Sequence, residues 1–216
     1  MSTVKAKKIQ LGTDATATNN FTIYQPTTPD RTIRIGQGNA DNPVEVAKIT
    51  SAGIFSSGHI LQVVNKTIST QGSQTIGTTD TQIGTGTDFD LSITPKGNGS
   101  KFIVSARWFG EVEDAWNVVF NIHRDGVRIN ADGATAYNRL GLSMATQTYG
   151  VAENDSSTPE IMYVKTVDSA ASTVGTGITY TLVASSTAAK TMWTNRCFLS
   201  THEQGISELI VMEVAA

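Results

Sequence analysis

The chain has 216 residues, of which 39% are hydrophobic and only 16% are charged, and its formal net charge is -3 with a sequence pI near 5.6. The charged fraction is well below the globular average of roughly 25%, and Thr, Ser, Gly, Asn and Gln fill the difference, which favours strands and turns over helices. The mild acidity argues against broad binding to a nucleic-acid backbone, because such binding needs a basic surface.

Residues 1–58 differ in texture from the rest of the chain and contain four short alternating segments, at 8–12, 20–24, 32–36 and 44–49. Pro29-Asp30 supplies a turn between the second and the third of them. Large apolar side chains are scarce here, so this segment would be marginally stable alone. We therefore expect an N-terminal extended β arm that another chain stabilises, either by pairing strands between copies or by lying on a partner surface. The basic N-terminus lacks the apolar segment of a signal peptide, which predicts synthesis in the cytoplasm without export by that route.

Residues 59–216 form a succession of short predicted strands that are bounded by Gly, Asn-Gly or Asp-Gly. The clearest strand spans 116–123, and Asp125-Gly126 after it supplies the positive φ of a tight hairpin. About eight to ten such strands in ~155 residues predict a C-terminal jelly-roll sandwich, and an all-β chain overall. The 116–123 segment has an apolar and a polar face: Trp116, Val118, Phe120 and Ile122 alternate with Asn117, Asn121 and His123.

The last predicted strand, 206–214, is apolar on both faces through residues 209–212, Leu-Ile-Val-Met. A strand of this composition at an exposed sheet edge would promote aggregation. The sequence therefore predicts that this strand lies centrally in its sheet or faces a subunit interface.

Residue types that bind metals are present without the spacing that a site requires. His59, His123 and His202 are far apart and have no zinc-like spacing, and a solvated side chain explains His123 on the polar face of its strand. Cys197 is the only cysteine, and we expect a buried, inert thiol. The sequence predicts no metal and no cofactor.

Paired carboxylates would be needed for glycoside hydrolysis. Two groups of acidic residues are close enough in sequence to be considered, but nothing in their spacing places two carboxyls across a groove, and ordinary turn carboxylates are the preferred interpretation. We therefore expect that the protein is not an enzyme. The two groups are Asp88 with Asp90, and Glu111 with Glu113 and Asp114.

The polar interval 130–158 is the best candidate for a ligand surface, because loops on a rigid β scaffold often carry recognition. It holds aromatic, amide and guanidinium side chains, which bind sugars and protein loops well. The alternative is a long connection that covers the sheet or contacts a neighbouring subunit. The candidate receptor or neighbour contacts are Tyr137, Asn138, Arg139 and Tyr149.

Two parts of the chain carry a family resemblance. The first comprises Ile9-Gln10-Leu11-Gly12, Asn19-Asn20-Phe21-Thr22, Pro29-Asp30-Arg31-Thr32-Ile33-Arg34-Ile35-Gly36 and Ile49-Thr50-Ser51-Ala52-Gly53. The second comprises the Trp-Asn-Val-Val-Phe-Asn-Ile strand, Asn195-Arg196 and the ending Ile206-Ser207 to Val211-Met212-Glu213-Val214-Ala215-Ala216. The first part resembles leader segments of tailed-bacteriophage fibre and other virion surface proteins. The second is similar to the globular tip domains of such proteins, which are jelly rolls like the tumour-necrosis-factor and C1q folds.

The resemblance implies a homotrimer with an apolar axis formed by one sheet of each copy, located in the virion after synthesis in the host bacterial cytoplasm. Its first implied role is a short tail fibre that attaches to other virion proteins through residues 1–58 and presents residues 59–216 for host-surface recognition, with a surface glycan as the candidate receptor.

The sequence leaves two other roles open. No sustained heptad or long repeat supplies a shaft, so a capsid decoration or cement protein, a head fibre, remains an alternative. A virion-borne polysaccharide depolymerase is the third interpretation. The mild acidity excludes nucleic acid as an expected partner. A membrane is not an expected partner either, since no apolar run approaches the ~20 residues that span a bilayer.

Overall fold

The structure, a computed structural model, describes residues 6–50, 53–113, 117–129, 141–145, 158–199 and 202–216. The prediction of an all-β chain with a sandwich is confirmed, and the helical content of these residues is one 3₁₀ turn at Ala17–Asn19. No helix in the described ranges is long and apolar enough to cross a membrane. The chain divides into two compact units: residues up to Leu61 together with Val214–Ala216, and Gln62–Glu213.

The N-terminal unit contains one five-stranded antiparallel meander rather than a single extended arm. Its strands follow chain order across the sheet, and each is paired with the next. They are β1 (Lys8–Leu11), β2 (Phe21–Tyr24), β3 (Ile33–Gln37), β4 (Val44–Thr50) and β5 (Gly53–Phe55).

The buried side chains of this meander are polar and lie at one end of the sheet. Asn20 is fully buried, and its Nδ2 donates to the Asp14 carbonyl and to Asn39 Oδ1, both at 2.8 Å. Thr22 is also fully buried, and its hydroxyl donates to the Gly38 carbonyl at 3.0 Å. These bonds fix the loops at one end of the sheet, but they bury no apolar surface.

The second unit is a β-sandwich of two sheets. The first sheet has the order β6-β17-β10-β16-β7, with β14 also paired to β10, and the second has the order β12-β11-β15-β8, with β13 paired to β11 and β9 paired to β15. The strands are β6 (Ile60–Ile68), β7 (Gly72–Ile76), β8 (Thr81–Gln82), β9 (Asp90–Ile93), β10 (Lys101–Val112), β11 (Val119–Arg124), β12 (Val127–Arg128), β13 (Ser143–Met144), β14 (Glu160–Asp168), β15 (Ile178–Ser185), β16 (Lys190–Thr194) and β17 (Ser207–Val214).

One apolar core lies between the two sheets. The ring centroids of Trp108 on β10 and Phe120 on β11 are 5.3 Å apart, and those of Phe102 on β10 and Tyr180 on β15 are 6.0 Å apart. All four side chains are fully buried. Gly110 is required beside this core, because a Cβ there would overlap the Trp108 indole and a backbone carbonyl oxygen.

The hairpin predicted after residue 124 is confirmed, and the polar face predicted for the strand before it is not. Arg124 pairs with Val127 across a two-residue turn in which Asp125 and Gly126 have φ of 50° and 82°. Asn121 is 1% exposed because the segment containing Leu142 covers that face, and Asn121 Oδ1 accepts the Leu142 backbone N–H at 3.2 Å. Trp116, the first residue of the predicted strand, lies outside the described residues.

The final strand occupies the position that its composition predicted. β17 lies between β6 and β10, and its alternate residues Leu209 and Val211 are fully buried in the core. Ile210 and Met212 point to the other side of the sheet, where they are only partly buried. The apolar character on both faces therefore reflects a central strand with one face in the core and one face outside it.

Candidate interaction surfaces

The side chains predicted as receptor or neighbour contacts, Tyr137, Asn138, Arg139 and Tyr149, lie outside the described residues, as does Asp114. Within the 130–158 interval the structure describes residues 141–145 and Thr158. Ser143 and Met144 pair with Phe120 and Val119 at the edge of the second sheet.

His123, expected to be solvated, belongs to a half-buried ionic cluster centred on Asp80. The His123 Nε2 lies 2.7 Å from one Asp80 carboxylate oxygen, and the Arg128 guanidinium donates to both oxygens, at 2.8 and 2.6 Å. The Ser185 hydroxyl donates to the same carboxylate at 2.9 Å. Burial would raise the pKa of the Asp80 carboxyl, but the hydrogen bonds from His123, Arg128 and Ser185 outweigh it and hold that pKa well below its usual range.

A second cluster joins the two sheets through Asp168 of β14. One Asp168 carboxylate oxygen accepts from the Arg124 guanidinium at 2.9 Å and from the Tyr180 hydroxyl at 2.7 Å. Burial and the Asp168 carboxylate raise the pKa of the Tyr180 hydroxyl. The Arg124 guanidinium also donates to the backbone carbonyls of Ala170 and Ala171.

An open depression of about 410 Å³ lies between these two clusters, and its lining includes both Arg124 and Arg128. Each guanidinium is already paired with a carboxylate, Arg124 with Asp168 and Arg128 with Asp80. The two cations are therefore neutralised in place, and the clusters are best explained as supports of the sandwich rather than as an anion site.

The carboxylates that are neighbours in sequence do not form acid and base pairs. Asp88 accepts the Thr85 backbone N–H at 3.0 Å, and Asp90 accepts the Thr181 hydroxyl at 2.6 Å. Glu113 accepts the Thr191 backbone N–H at 2.9 Å. These bonds agree with the preferred interpretation of ordinary structural carboxylates.

Cross-strand register brings two carboxylates near each other in a way that sequence spacing does not reveal. Glu160 lies directly opposite Gly110, the residue before Glu111, although the two glutamates are 49 positions apart in sequence. Glu111 is well satisfied, since its oxygens accept from the Thr158 hydroxyl at 2.6 Å and the Phe198 backbone N–H at 2.7 Å. Glu160 is 3% exposed, and neither of its carboxyl oxygens has a hydrogen-bond partner among the residues that the structure describes. Burial, with a smaller contribution from the charge of Glu111, raises the pKa of Glu160 to about 8.

The expected burial of the thiol at Cys197 is confirmed. Its Sγ lies 3.7 Å from Glu203 Oε2. Among the residues that the structure describes, no group of three or more His, Cys, Asp or Glu side chains could hold a metal ion.

The outward face of the first sheet of the sandwich, which we call the outer sheet face, exposes several apolar side chains. Met162 and Val164 of β14 pack in the core, so the alternate residues of this strand point outward. Ile161, Tyr163 and Val167 are 51%, 68% and 48% exposed. The outward side chains of the three adjacent strands are Ile103, Ser105, Arg107 and Phe109 of β10, Ile161, Tyr163, Lys165 and Val167 of β14, and Glu208, Ile210 and Met212 of β17.

The charges on the outer sheet face surround a shallow depression of about 380 Å³ that is lined by Arg107, Tyr163, Lys165, Glu208 and Ile210, among others. Arg107 donates to the Ile206 carbonyl at 3.1 Å. Lys165 and Glu208 form no ion pair with any described residue. The face thus combines apolar side chains with a lysine and a glutamate that have no ion-pair partner among the described residues, so a protein of complementary charge could pair with both.

Among the described strands, the outer edge of β14 in the same sheet also has no partner. β14 has nine residues, and its pairing with β10 uses one of its two edges. No described strand pairs with its other edge. Because long, exposed edge strands promote association, folded proteins usually cover them or blunt them.

No protein-family model matches the chain, and no curated protein is significantly similar to it in sequence. Two similar solved structures are of VP2 from infectious bursal disease virus: a subviral particle (14% identity, TM-score 0.37, 91% of this chain, 48% of VP2) and mutant-derived T=1 particles (14%, 0.32, 90%, 45%). Dimeric latent PorU from Porphyromonas gingivalis is similar at 9% identity and a TM-score of 0.32, over 91% of this chain and 19% of PorU. The viral neighbours are capsid proteins, and the chain spans about half the length of VP2.

Proposed function

We propose that this chain is a non-enzymatic structural protein of a tailed-bacteriophage virion. In this proposal it is a homotrimeric short tail fibre that attaches to other virion proteins through residues 1–58 and presents the β-sandwich for recognition of the host surface, with a glycan as candidate receptor. The residues that support the phage assignment are the sequence stretches given above. The observation that carries the trimer is the outer sheet face.

The outer sheet face suits a copy of the same chain better than water. Its three strongly exposed apolar residues lie on one edge strand, where a neighbour would cover both the side chains and the strand edge. Lys165 and Glu208 are also available, so a symmetric arrangement can pair the cation of one copy with the anion of the next. Three such faces around an axis would bury the apolar surface and pair Lys165 of one copy with Glu208 of the next.

A capsid decoration protein is the second candidate, and one structural observation favours it. Only residues 56–59 separate β5 from β6, so the N-terminal sheet is joined to the sandwich without any shaft. A tail fibre usually carries a long shaft between its attachment segment and its tip, whereas a cement protein needs only an attachment segment and a projecting domain. A depolymerase is the weakest candidate, because the carboxylate pair Glu111 and Glu160 is buried rather than exposed across a groove.

The trimer is tested by sedimentation of the full chain over a wide concentration range. We expect a trimer for the natural protein, and we expect Tyr163→Glu to raise the concentration needed for assembly at least tenfold, because it places a charge in the contact. Val174→Glu is the matched control, since Val174 is an apolar residue of similar exposure, 50%, in the loop between β14 and β15. A natural protein that sediments as a monomer at all concentrations would refute the proposal.

The location in the virion is tested on particles assembled with and without the protein. A cement protein should leave capsids fragile to heat or low ionic strength when it is missing, whereas a tail fibre should leave capsids intact and reduce adsorption to the host. Binding of the purified chain to host polysaccharide would support the tail fibre, and labelling of the protein on intact particles would identify its position directly.

A further inference from the structure

The meander of the N-terminal unit has one almost wholly apolar face, which the strand register defines. Residues directly opposite each other in an antiparallel pair point to the same side of a sheet, and every second residue along a strand does so too. Ile23 is opposite both Ile9 and Ile35, and Ile49 is opposite both Ile33 and Ile54. We call this side the apolar N-terminal face. Its members are Ile9, Leu11, Phe21, Ile23, Ile33, Ile35, Val44, Ala47, Ile49 and Ile54, with Gln37 as the one polar side chain among the paired residues.

An irregularity in the register preserves this face along its whole length. The pairing of β3 with β4 shifts between Ile35 and Gly36, where Val46 is the extra residue. Without that shift, alternation would place Val44 on the same side as the charged residues. With it, Val44 lies opposite Gln37, on the same side as Ile35 and Ala47.

The opposite side of the meander carries the charges. Arg34 lies there, paired with Asp30 and with Glu45 at 2.6 Å each. Lys8 and Lys48 are on the same side, because they lie opposite Tyr24 and Arg34. The sheet is therefore strongly amphipathic, with ion pairs on one side and isoleucines on the other.

The apolar N-terminal face is exposed. Six of its side chains are between 44% and 69% accessible. Among the residues of 6–61 whose burial is described, no apolar side chain is buried. At roughly 150 Å² for each large side chain, the six offer on the order of 450 Å² of apolar area. That is more than half of the ~800 Å² per partner that a specific interface buries. The six side chains are Ile9, Leu11, Phe21, Ile33, Val44 and Ile54.

We propose that the apolar N-terminal face packs against the same face of other copies of this chain, so that the sheets of an oligomer share one core. The face has no charged residue among its paired positions. An unrelated protein would therefore find no charge there with which to form a specific ion pair. A sheet with no apolar core of its own gains a core when identical sheets pack face to face around an axis. The inference rests on the proposed function only in taking the chain to be a homo-oligomer, and it leaves the charged side and the strand edges for attachment to the virion.

The test is cysteine crosslinking in the full-length chain. Ile33→Cys places a thiol on the apolar N-terminal face, and Lys48→Cys places one on the charged side of the adjacent strand. Cys197 is fully buried, so the natural protein measures the background. With a short bismaleimide crosslinker, we expect Ile33→Cys to form covalent dimers at least ten times faster than Lys48→Cys.

Val44→Cys is a second probe of the same face in case the first variant does not fold, because Val44 is 69% exposed and its replacement is mild. Two results would overturn the inference and leave the proposed trimer standing. One is an equal crosslinking rate on the two sides of the sheet. The other is no crosslinking at Ile33→Cys and Val44→Cys in a chain that sediments as an oligomer. A third outcome separates the two surfaces. If Ile33→Cys crosslinks but Tyr163→Glu does not change sedimentation, the N-terminal sheets associate and the outer sheet face is not the trimer contact.

Discussion

Replacing Glu160 with Gln tests whether the buried carboxyl is held neutral by its surroundings. Glu160 faces the core side of β14, near Glu111, and its oxygens have no hydrogen-bond partner within the described part of the chain. Ionisation would place a second negative charge in a site that water does not reach. The amide of Gln has nearly the same shape as the protonated carboxyl but never ionises.

The size of the effect follows from the difference between the folded and unfolded pKa of Glu160. Its pKa is about 8 in the folded chain against an ordinary value of 4.5. Between these two values the folded state holds a proton that the unfolded state has lost, so the free energy of unfolding falls as the pH rises. The stabilisation is fully present below pH 4.5, is lost as the pH rises through about 8, and changes by about 1.4 kcal/mol per pH unit in between.

The assay is urea unfolding of both proteins, followed by tryptophan fluorescence at several pH values from 5 to about 9, at one fixed protein concentration because oligomerisation affects apparent stability. The difference between the two proteins removes the contribution of every other titrating group. We expect the Glu160→Gln chain to gain stability relative to the natural chain as the pH rises, until the difference levels off above about pH 8. Asp41→Asn, at an exposed carboxylate, is the control for the loss of one negative charge. Parallel stability curves for the natural and Glu160→Gln proteins would refute the reasoning.

Three further perturbations test the fold and its organisation. Phe120→Asp should abolish folding, because it places a charge beside Trp108 in the core at a cost of several kcal/mol; a soluble, fully assembled variant would contradict the strand assignment. Asp80→Asn should cost about 2–3 kcal/mol at neutral pH by removing the carboxylate that pairs with Arg128, and the difference should shrink as the pH falls below the ordinary pKa of 3.8 and vanish only when the pH falls through the lowered pKa of the folded carboxyl. Deleting residues 1–58 should leave a folded sandwich that no longer joins particles, and normal incorporation of that truncation would exclude the N-terminal residues as the anchor.

The sequence predicted local structure well, because alternation and turn chemistry are local properties. The four N-terminal segments correspond to β1 to β4, and Asp125-Gly126 forms the hairpin that its residue types require. The same alternation failed at Asn121, which is polar but buried. The reason is that the covering segment is about twenty residues away in sequence, and only the fold brings the Leu142 N–H to the Asn121 amide.

Features that depend on register between distant strands were beyond the reach of sequence patterns. Sequence spacing groups Glu111 with Glu113 and Asp114, whereas the pairing of β10 with β14 brings Glu160 opposite Gly110, the residue before Glu111. The apolar N-terminal face has the same origin. Each of its strands contributes only one to three apolar residues, which predicts a thin core, and their alignment on one side depends on four registers and one bulge.

Two apolar surfaces on one short chain explain how modest contacts can produce a stable assembly. The apolar N-terminal face offers on the order of 450 Å², which alone is a small interface. Residues 56–59 connect the N-terminal sheet to the sandwich. Copies that associate through the apolar N-terminal face would therefore hold their outer sheet faces at a high effective concentration, commonly in the millimolar range for short linkers. Each surface then needs little affinity of its own, because the second association is intramolecular. In the proposed oligomer the low apolar content of residues 1–58 would not be a weakness of the fold, because other copies would complete the core of that sheet.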